Sequence, residues 1–148
     1  MDTELVARLR AVIPRLARVL NDTSTGADLT PTQYSVLALV HVRGPLGLTE
    51  LTELEGLNPT MLSRVVKALD ERGLIRRMQD PGDLRVARVT VTEEGARVHD
   101  QVRAQRTQVL SDCLHRLPPD TAETLLKAVP ELEAMAEALK PPAKPAKG

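Results

Sequence analysis

Polar and cationic side chains able to bind a polyanion are concentrated between residues 58 and 72. If this stretch is helical, Leu62, Val65 or Val66, and Leu69 fall on one apolar face. The opposite face then carries amide, hydroxyl, thioether and cationic groups, namely Asn58, Thr60, Met61, Ser63, Arg64 and Lys67. Guanidinium groups fork onto guanine edges, ammonium groups bind phosphate, and apolar atoms contact the thymine methyl. The spacing therefore predicts a DNA-reading helix; the alternative is an amphipathic helix with a solvated polar face.

A second candidate group follows in Asp83-Leu84-Arg85. Two runs with strand character, 74–79 and 86–92, flank the turn cluster Asp80–Asp83 and predict a β-hairpin. An arginine near a hairpin tip can enter the minor groove, where the negative potential is enhanced. Arg85 is the first candidate, and Arg88 ranks below it because its direction depends on a regular hairpin. The alternative is a surface ion pair of Arg85 with a neighbouring aspartate, worth at most about 1 kcal/mol.

Helix signals show how the chain would position these groups. Thr30–Gln33 predicts a capping box that starts a helix of about residues 31–41. Thr49 is expected to cap a short helix, Glu50–Glu55. Asn58 with Pro59 starts the next helix, and Gly73 suits the left-handed position after its end. A helix, a short glycine-containing turn, a helix and then a hairpin form the layout of a winged helix-turn-helix.

Long helices are predicted on both sides of this unit. An apolar stripe at steps of three and four predicts a helix over residues 3–20, kinked at Pro14. Thr92 is expected to cap a helix to about Arg116, and a last helix should run to about Leu139 with a kink at Pro130. The expected fold is therefore mostly α with a small β-hairpin wing.

These signals predict four segments of the 148-residue chain. They are an N-terminal dimerisation helix in 1–29, a winged helix-turn-helix domain in 30–92, C-terminal dimerisation helices in 93–139, and a flexible Pro/Lys tail in 140–148. The tail is too rich in Pro and Lys to build a core.

The composition sets limits on the class of protein. The 20 basic and 20 acidic residues give zero net charge, but residues 58–92 carry seven basic and four acidic ones. Local sign decides which surface can meet a polyanion, so neutrality does not exclude DNA. With one tyrosine and no Phe or Trp, the core must be aliphatic. One cysteine rules out an internal disulfide, and the absence of an apolar run of about 18 residues predicts a cytoplasmic protein without membrane contact.

Few other residues suggest chemistry. His41, His99 and His115 lack zinc-ligand spacing, so we expect structural or surface histidines and no metal site. Cys113, on the apolar side of its helix, is expected to act as a small hydrophobe. Tyr34 and Arg15 could line a ligand pocket, although a core tyrosine and a solvated arginine are the simpler interpretations. No enzyme motif is present, and neither a catalytic role nor a cofactor is expected.

The motifs carry a resemblance to a known family. The run Leu62–Arg77, the wing Asp83-Leu84-Arg85 and the stretch Val89-Thr90-Val91-Thr92-Glu93-Glu94-Gly95 resemble the multiple-antibiotic-resistance regulator (MarR) family of winged helix-turn-helix proteins. The likeness covers about residues 5–138 and is most specific in 62–95. Its pattern of Asp-x-Arg followed by V-x-V-T-x-x-G is more telling than a helix-turn-helix alone.

The resemblance implies a function. Proteins of this family are homodimers, joined through their first and last two helices, that bind pseudo-palindromic operators in double-stranded DNA, usually as repressors. Many release DNA when a small phenolic or anionic ligand enters a cleft beside the dimer helices. Two alternatives remain at this point: a winged-helix module that binds protein, and a DNA-binding regulator that responds to no ligand. Whether transcription is repressed or activated depends on the operator's position.

Overall fold

The structure, a computed structural model, describes residues 1–22 and 28–140. This part of the chain folds into ten elements, in the order α1 (Thr3–Asp22), α2 (Pro31–Arg43), β1 (Leu46–Gly47), α3 (Leu48–Glu55), α4 (Pro59–Glu71), β2 (Ile75–Asp80), β3 (Asp83–Val91), α5 (Glu93–Arg116), α6 (Pro119–Lys127) and α7 (Val129–Ala138). The predicted class, mostly α with a β-hairpin wing, is confirmed. Most of the loop predicted at 21–28, and the tail beyond Lys140, lie outside the described residues.

The chain divides into two compact units, Met1–Val109 and Leu110–Gly148. In the first unit, α2, α3 and α4 pack against one another, and α2 also packs against β3. The core between them is aliphatic, as the composition predicted, and consists of Val36, Leu37, Val40, Leu46, Leu51, Leu62, Val66, Leu69, Leu74, Ile75, Val89, Val98 and Val102. Three of these residues, Leu62, Val66 and Leu69, lie on α4 and anchor that helix to the core.

In the second unit, α6 and α7 pack against each other. The sequence predicted one kinked helix here, but the structure has two helices that meet at Ala128. Pro130 lies in the first turn of α7, where its missing N–H removes no helical hydrogen bond. The proline therefore starts a new helix instead of kinking a continuous one.

The wing belongs to a three-stranded antiparallel sheet with the order β1-β3-β2. Val89 of the central strand pairs with Leu46 on one side and with Arg77 on the other. The sequence predicted only the β2–β3 hairpin. Two residues are too few to show the alternation that marks a strand, so β1 becomes a strand only through its pairing with β3.

Two of the three predicted side-chain caps in this part of the fold are confirmed. Thr30 forms the full capping box with Gln33, and the Asn58 side chain accepts a hydrogen bond from the Met61 N–H at 2.8 Å. The third prediction was wrong, because α3 begins at Leu48 and its N-cap is Gly47, not Thr49. Gly47 pairs with Arg88 in the sheet, and its extended conformation (φ −70°, ψ 154°) lets the helix begin at the next residue.

A close junction connects the end of α4, the wing and α5. Gly73 adopts the predicted left-handed conformation, with φ of +71°. Thr92 donates from its hydroxyl to the Gly73 carbonyl at 2.6 Å and accepts from the Gly95 N–H at 3.0 Å, so it is the predicted cap of α5. A Cβ placed on Gly95 would lie 1.9 Å from the Leu74 carbonyl oxygen. Only glycine allows α5 to approach the backbone this closely.

Replacing Gly95 with alanine should therefore destabilise the fold. The methyl group meets rigid backbone, so we expect Gly95→Ala to cost about 3 kcal/mol of unfolding free energy, the upper end of what overpacking costs. Urea unfolding at a fixed chain concentration measures it. The matched control is Gly82→Ala, whose Cβ would lie in ordinary contact with Asp80 Oδ1, at 3.4 Å. It should change stability by less than about 0.5 kcal/mol. Equal stability of the two variants would contradict the conclusion that the close approach at Gly95 requires glycine.

Candidate nucleic-acid interface

The polar face of α4 is exposed. All six residues that the sequence assigned to this face lie on the surface: Asn58, Thr60, Met61, Ser63, Arg64 and Lys67. Met61 keeps 49% of its surface in contact with solvent and so adds an apolar group to this polar face. An exposed row of hydroxyl, guanidinium and ammonium groups on a helix held rigidly from behind has the form of a base-reading surface.

The structure changes the role of one member of this row. The Asn58 side-chain oxygen is used by the helix cap, where it binds the Met61 N–H. Asn58 therefore positions the first turn of α4, and only its amide NH2 remains to contact a nucleic acid. At the other end of the row, Lys67 Nζ lies 4.0 Å from a carboxylate oxygen of Glu71, one helical turn further on. This pair is highly exposed and worth little, so phosphate can displace it.

The two wing arginines have different surroundings. Arg85 keeps 92% of its side chain exposed, and its Nε lies 3.3 Å from Asp83 Oδ1. Arg88 is more enclosed and donates from Nε to Asp80 Oδ2 at 3.1 Å. Arg85 can therefore extend into solvent, whereas Arg88 fastens β3 to the turn. This difference supports the ranking of Arg85 above Arg88.

Asp80 organises the turn of the wing. Its Oδ1 accepts a hydrogen bond from the Gly82 N–H at 2.8 Å while its other oxygen binds Arg88. The backbone hydrogen bond from Gly82, followed by the nearby Arg88 charge, lowers the pKa of Asp80 below its ordinary value of 3.8. The ionised carboxylate is thus the form that the folded hairpin favours.

Two further cations on the wing were not singled out from the sequence. Arg76 and Arg77 of β2 are both exposed. Arg76 is paired with Thr90 in the sheet, and Arg77 with Val89. The signal that could have found them was the basic character of residues 58–92 as a whole. The sequence patterns gave weight only to the tip of the hairpin.

Tyr34 and Arg15, the predicted ligand-pocket residues, have different surroundings. Tyr34 is half-buried at the edge of the core, with the Arg106 guanidinium 4.2 Å from its ring centroid and the His99 ring stacked on it at 5.6 Å. Arg15 lies on exposed α1 and lines a groove of about 500 Å³ together with Leu5, Arg8, Leu9, Ala11 and Val12. Tyr34 is not among the residues that line this groove, so a site that uses both residues must extend beyond the groove.

The fold also brings together residues that the sequence did not connect. His41 of α2 lies beside His99 and Asp100 of α5, and one potential ligand atom from each lies within 4.8 Å of the other two. The two histidines are 58 positions apart, so no local spacing could reveal them. Cys113, expected on an apolar helix face, is exposed.

Comparison with known proteins places this geometry in a family. Residues 29–87 match the sequence profile of the MarR family. The multiple antibiotic resistance protein MarR of Salmonella typhimurium is 31% identical over 116 residues, which cover 76% of this chain and 81% of that protein. The chain belongs to the MarR family.

Other relatives agree with this assignment. The MarR-family chain is 25% identical to the HTH-type transcriptional repressor MdtR of Bacillus subtilis over 136 residues, or 92% of this chain and 86% of the repressor. A MarR family protein from Bacillus stearothermophilus superposes with a TM-score of 0.75 at 22% identity, covering 93% of this chain and 99% of the other. The protein is thus a winged helix-turn-helix transcriptional regulator, and these relatives are regulators, not enzymes. Among the described residues, no helix combines the length and apolarity needed to cross a membrane.

The lowered pKa of Asp80 makes the wing sensitive to acid. A depressed folded-state pKa contributes stability above the unfolded value of 3.8, and this contribution is lost as pH falls through the folded pKa. Wild type should therefore exceed Asp80→Asn in stability near neutrality, and the difference should shrink below pH 3.8. Urea unfolding from about pH 6 to about pH 2.5 measures this. Glu53→Gln, which removes an exposed carboxylate from α3, is the control. A difference independent of pH would exclude the carboxylate charge as its source.

Proposed function

We propose that the protein is a homodimeric repressor that binds a pseudo-palindromic DNA operator and responds to a small ligand. The observation that carries the proposal is the two-sided character of α4. One side is fixed in the core by Leu62, Val66 and Leu69, while the other exposes Arg64 and its polar neighbours. A helix with this arrangement can enter the major groove without unfolding any part of the domain. As a regulator of transcription, it would act in the cytoplasm.

Within this proposal, the DNA contacts divide by chemistry. Arg64 forks onto a base edge, Met61 and the hydroxyls of Thr60 and Ser63 contact bases or phosphates, and Lys67 binds phosphate. Arg85 enters the minor groove from the wing. Arg88 supports the wing from within and contributes to DNA contact through the neighbouring phosphates.

Exposed apolar side chains support the dimer. No residue of α1 is buried in the single chain, and its stripe of Leu5, Leu9 and Leu16 remains 41–57% exposed. In the second unit, Leu126 and Leu132 are also largely exposed. Apolar stripes of this kind mark association surfaces. A two-fold dimer would cover them and place two copies of α4 about one DNA turn apart. This arrangement uses residues 1–29 and 93–139 for dimerisation and 30–92 for DNA.

The family resemblance supports a small phenolic or anionic ligand. The α1 groove offers two cations, Arg8 and Arg15, beside apolar side chains, which suits an aromatic anion. Tyr34, the one Phe, Tyr or Trp residue of the chain, is the candidate for stacking on the ligand, and His99 and Arg106 already contact its ring. Ligand binding near α1 would change the spacing of the two α4 helices in the dimer and so lower the affinity for the operator.

DNA binding is tested with the promoter of the protein's own operon by fluorescence anisotropy at several salt concentrations. Log affinity should fall with log salt by about 0.9 per neutralised phosphate. Arg64→Ala should cost about 1–3 kcal/mol and relax specificity at one base pair, and Arg85→Ala should weaken binding without unfolding the protein. Lys67→Ala should weaken all sequences alike and reduce the salt slope.

The control is Lys127→Ala, which removes a cation from α6 and should bind like wild type. A flat salt response with no preference for the promoter would instead favour a protein-binding module. Adding a small aromatic anion such as 4-hydroxybenzoate tests ligand response in the same assay. Unchanged affinity across such anions would favour the ligand-insensitive regulator.

The dimer is tested separately by charge insertion. Leu9→Glu with Leu16→Glu places two carboxylates in the apolar stripe of α1, and we expect this variant to sediment as a monomer at micromolar concentration and to lose operator affinity. Val42→Glu, on an exposed position of α2 outside the stripe, should remain dimeric. If the double variant stays dimeric, α1 is not the interface.

A further inference from the structure

The cluster of His41, His99 and Asp100 has the composition of a metal site. His99 Nδ1 lies 3.2 Å from Asp100 Oδ1, and His41 Nε2 lies 3.9 Å from the same oxygen. The centroids of the two imidazole rings are 4.5 Å apart. Neither histidine is part of the DNA-reading face, and neither has a role in the proposed dimer stripe. Their convergence from two separate helices therefore needs its own explanation.

The distances are close to those that a tetrahedral ion requires. Zinc binds imidazole nitrogen and carboxylate oxygen at about 2.0–2.2 Å, so neighbouring ligand atoms are about 3.3 Å apart. The His99–Asp100 pair is already at this separation, the His41–Asp100 pair is wider by about 0.6 Å, and the three potential ligand atoms all lie within 4.8 Å of one another. Asp100 is 67% exposed and His41 30%, so small side-chain rotations close the gap. Two imidazoles and a carboxylate favour zinc-like transition metals over Ca²⁺ or Mg²⁺, which prefer oxygen ligands.

We propose that His41, His99 and Asp100 bind one divalent transition-metal ion of the zinc type, and that this ion is an effector of DNA binding. The second half rests on the proposed function. Water completes the coordination, because the exposed side chain of Asp100 places the cluster at the surface.

His99 is held in position before any ion arrives. Its side chain is only 6% exposed. Among the described residues, His99 is the one buried residue with a polar or charged side chain. The Tyr34 ring stacks on it with an angle of 3° between the planes. The guanidinium of Arg106 lies 4.2 Å from the centroid of the same Tyr34 ring. The stacking fixes the buried His99 imidazole, and the more exposed His41 and Asp100 side chains lie beside it. Metal sites need this kind of preorganised ligand.

The ion would connect the helix that supports α4 with α5. Val36, Leu37 and Val40 of α2 lie in the same core as the apolar side of α4, and α2 also packs against β3 of the wing. The junction at Gly95 connects α5 to the end of α4. Drawing His41 towards α5 therefore acts on both supports of the reading helix. An ion that binds one arrangement of these supports more tightly must shift the DNA affinity.

Calorimetric titration of the full, chelator-treated chain with Zn²⁺ tests the site, and Co²⁺ absorption gives a spectroscopic readout of its geometry. We expect one ion per chain. His41→Gln and Asp100→Asn should each lower the affinity at least tenfold and change the Co²⁺ spectrum. Both substitutions are at side chains that reach solvent, so the fold should persist, as circular dichroism can verify.

Two controls distinguish the cluster from adventitious binding on α5. His115→Gln removes a histidine on the same helix whose Nδ1 binds the Ser111 carbonyl, and Cys113→Ser removes the exposed thiol. Neither should alter Zn²⁺ binding. No binding, or binding that is lost in these controls and kept in His41→Gln and Asp100→Asn, overturns the site.

The effector role is tested by promoter affinity with and without Zn²⁺. We expect at least a fivefold change in wild type and none in Asp100→Asn. Zinc bound at the cluster with unchanged promoter affinity overturns the effector role. If the metal-free and zinc-loaded chains both fail to bind DNA while Zn²⁺ still titrates, the proposed function fails and the metal site stands. If the promoter is bound but Zn²⁺ is not, the metal site fails and the proposed function stands.

Discussion

The placement of α4, the proposed DNA-reading helix, depends on one close backbone approach. Gly95, without a side chain, lets the first turn of α5 rest against the Leu74 carbonyl, and the Thr92 hydroxyl joins that turn to Gly73. The end of α4, the base of the wing and the start of α5 therefore meet at a single point. Since interiors are close-packed, a displacement of any one element must be transmitted to the others. The V-x-V-T-x-x-G stretch thus connects the winged helix-turn-helix to α5.

The surface of the protein is divided by chemistry around that junction. Aliphatic side chains fix α4 from behind, and cations remain on the face that meets solvent. On the wing, Arg88 pairs with Asp80 within the hairpin, whereas Arg85 pairs with Asp83 and keeps most of its side chain exposed. Within the described part of the single chain, no residue of α1 is buried, and its apolar stripe stays exposed. The zero net charge of the chain therefore balances the basic segment 58–92 against acidic segments elsewhere.

Local signals were reliable wherever a single residue determines its own backbone. The Thr30–Gln33 box, the Asn58 cap and the left-handed Gly73 were all predicted, because capping and positive φ depend on a few neighbouring atoms. Thr49 failed as a cap because pairing of Gly47 with β3 moved the helix start, which no local rule contains. The division of the last predicted helix at Ala128 was predicted only in part. Pro130 marked the position, but the sequence did not show whether the helix would bend there or end and start again.

Local sequence patterns predicted the helices as far as α5, the aliphatic core, the basic segment 58–92 and the family, because periodicity, caps and motif spacing are properties of neighbouring residues. The packing of the helices and strands sets how side chains distant along the chain combine. It gave Arg85 and Arg88 different surroundings, added β1 to the wing, and placed His41 against His99 and Asp100. The physical reason is that the contact between α2 and α5 brings together residues 58 positions apart, and this proximity leaves no trace in local sequence.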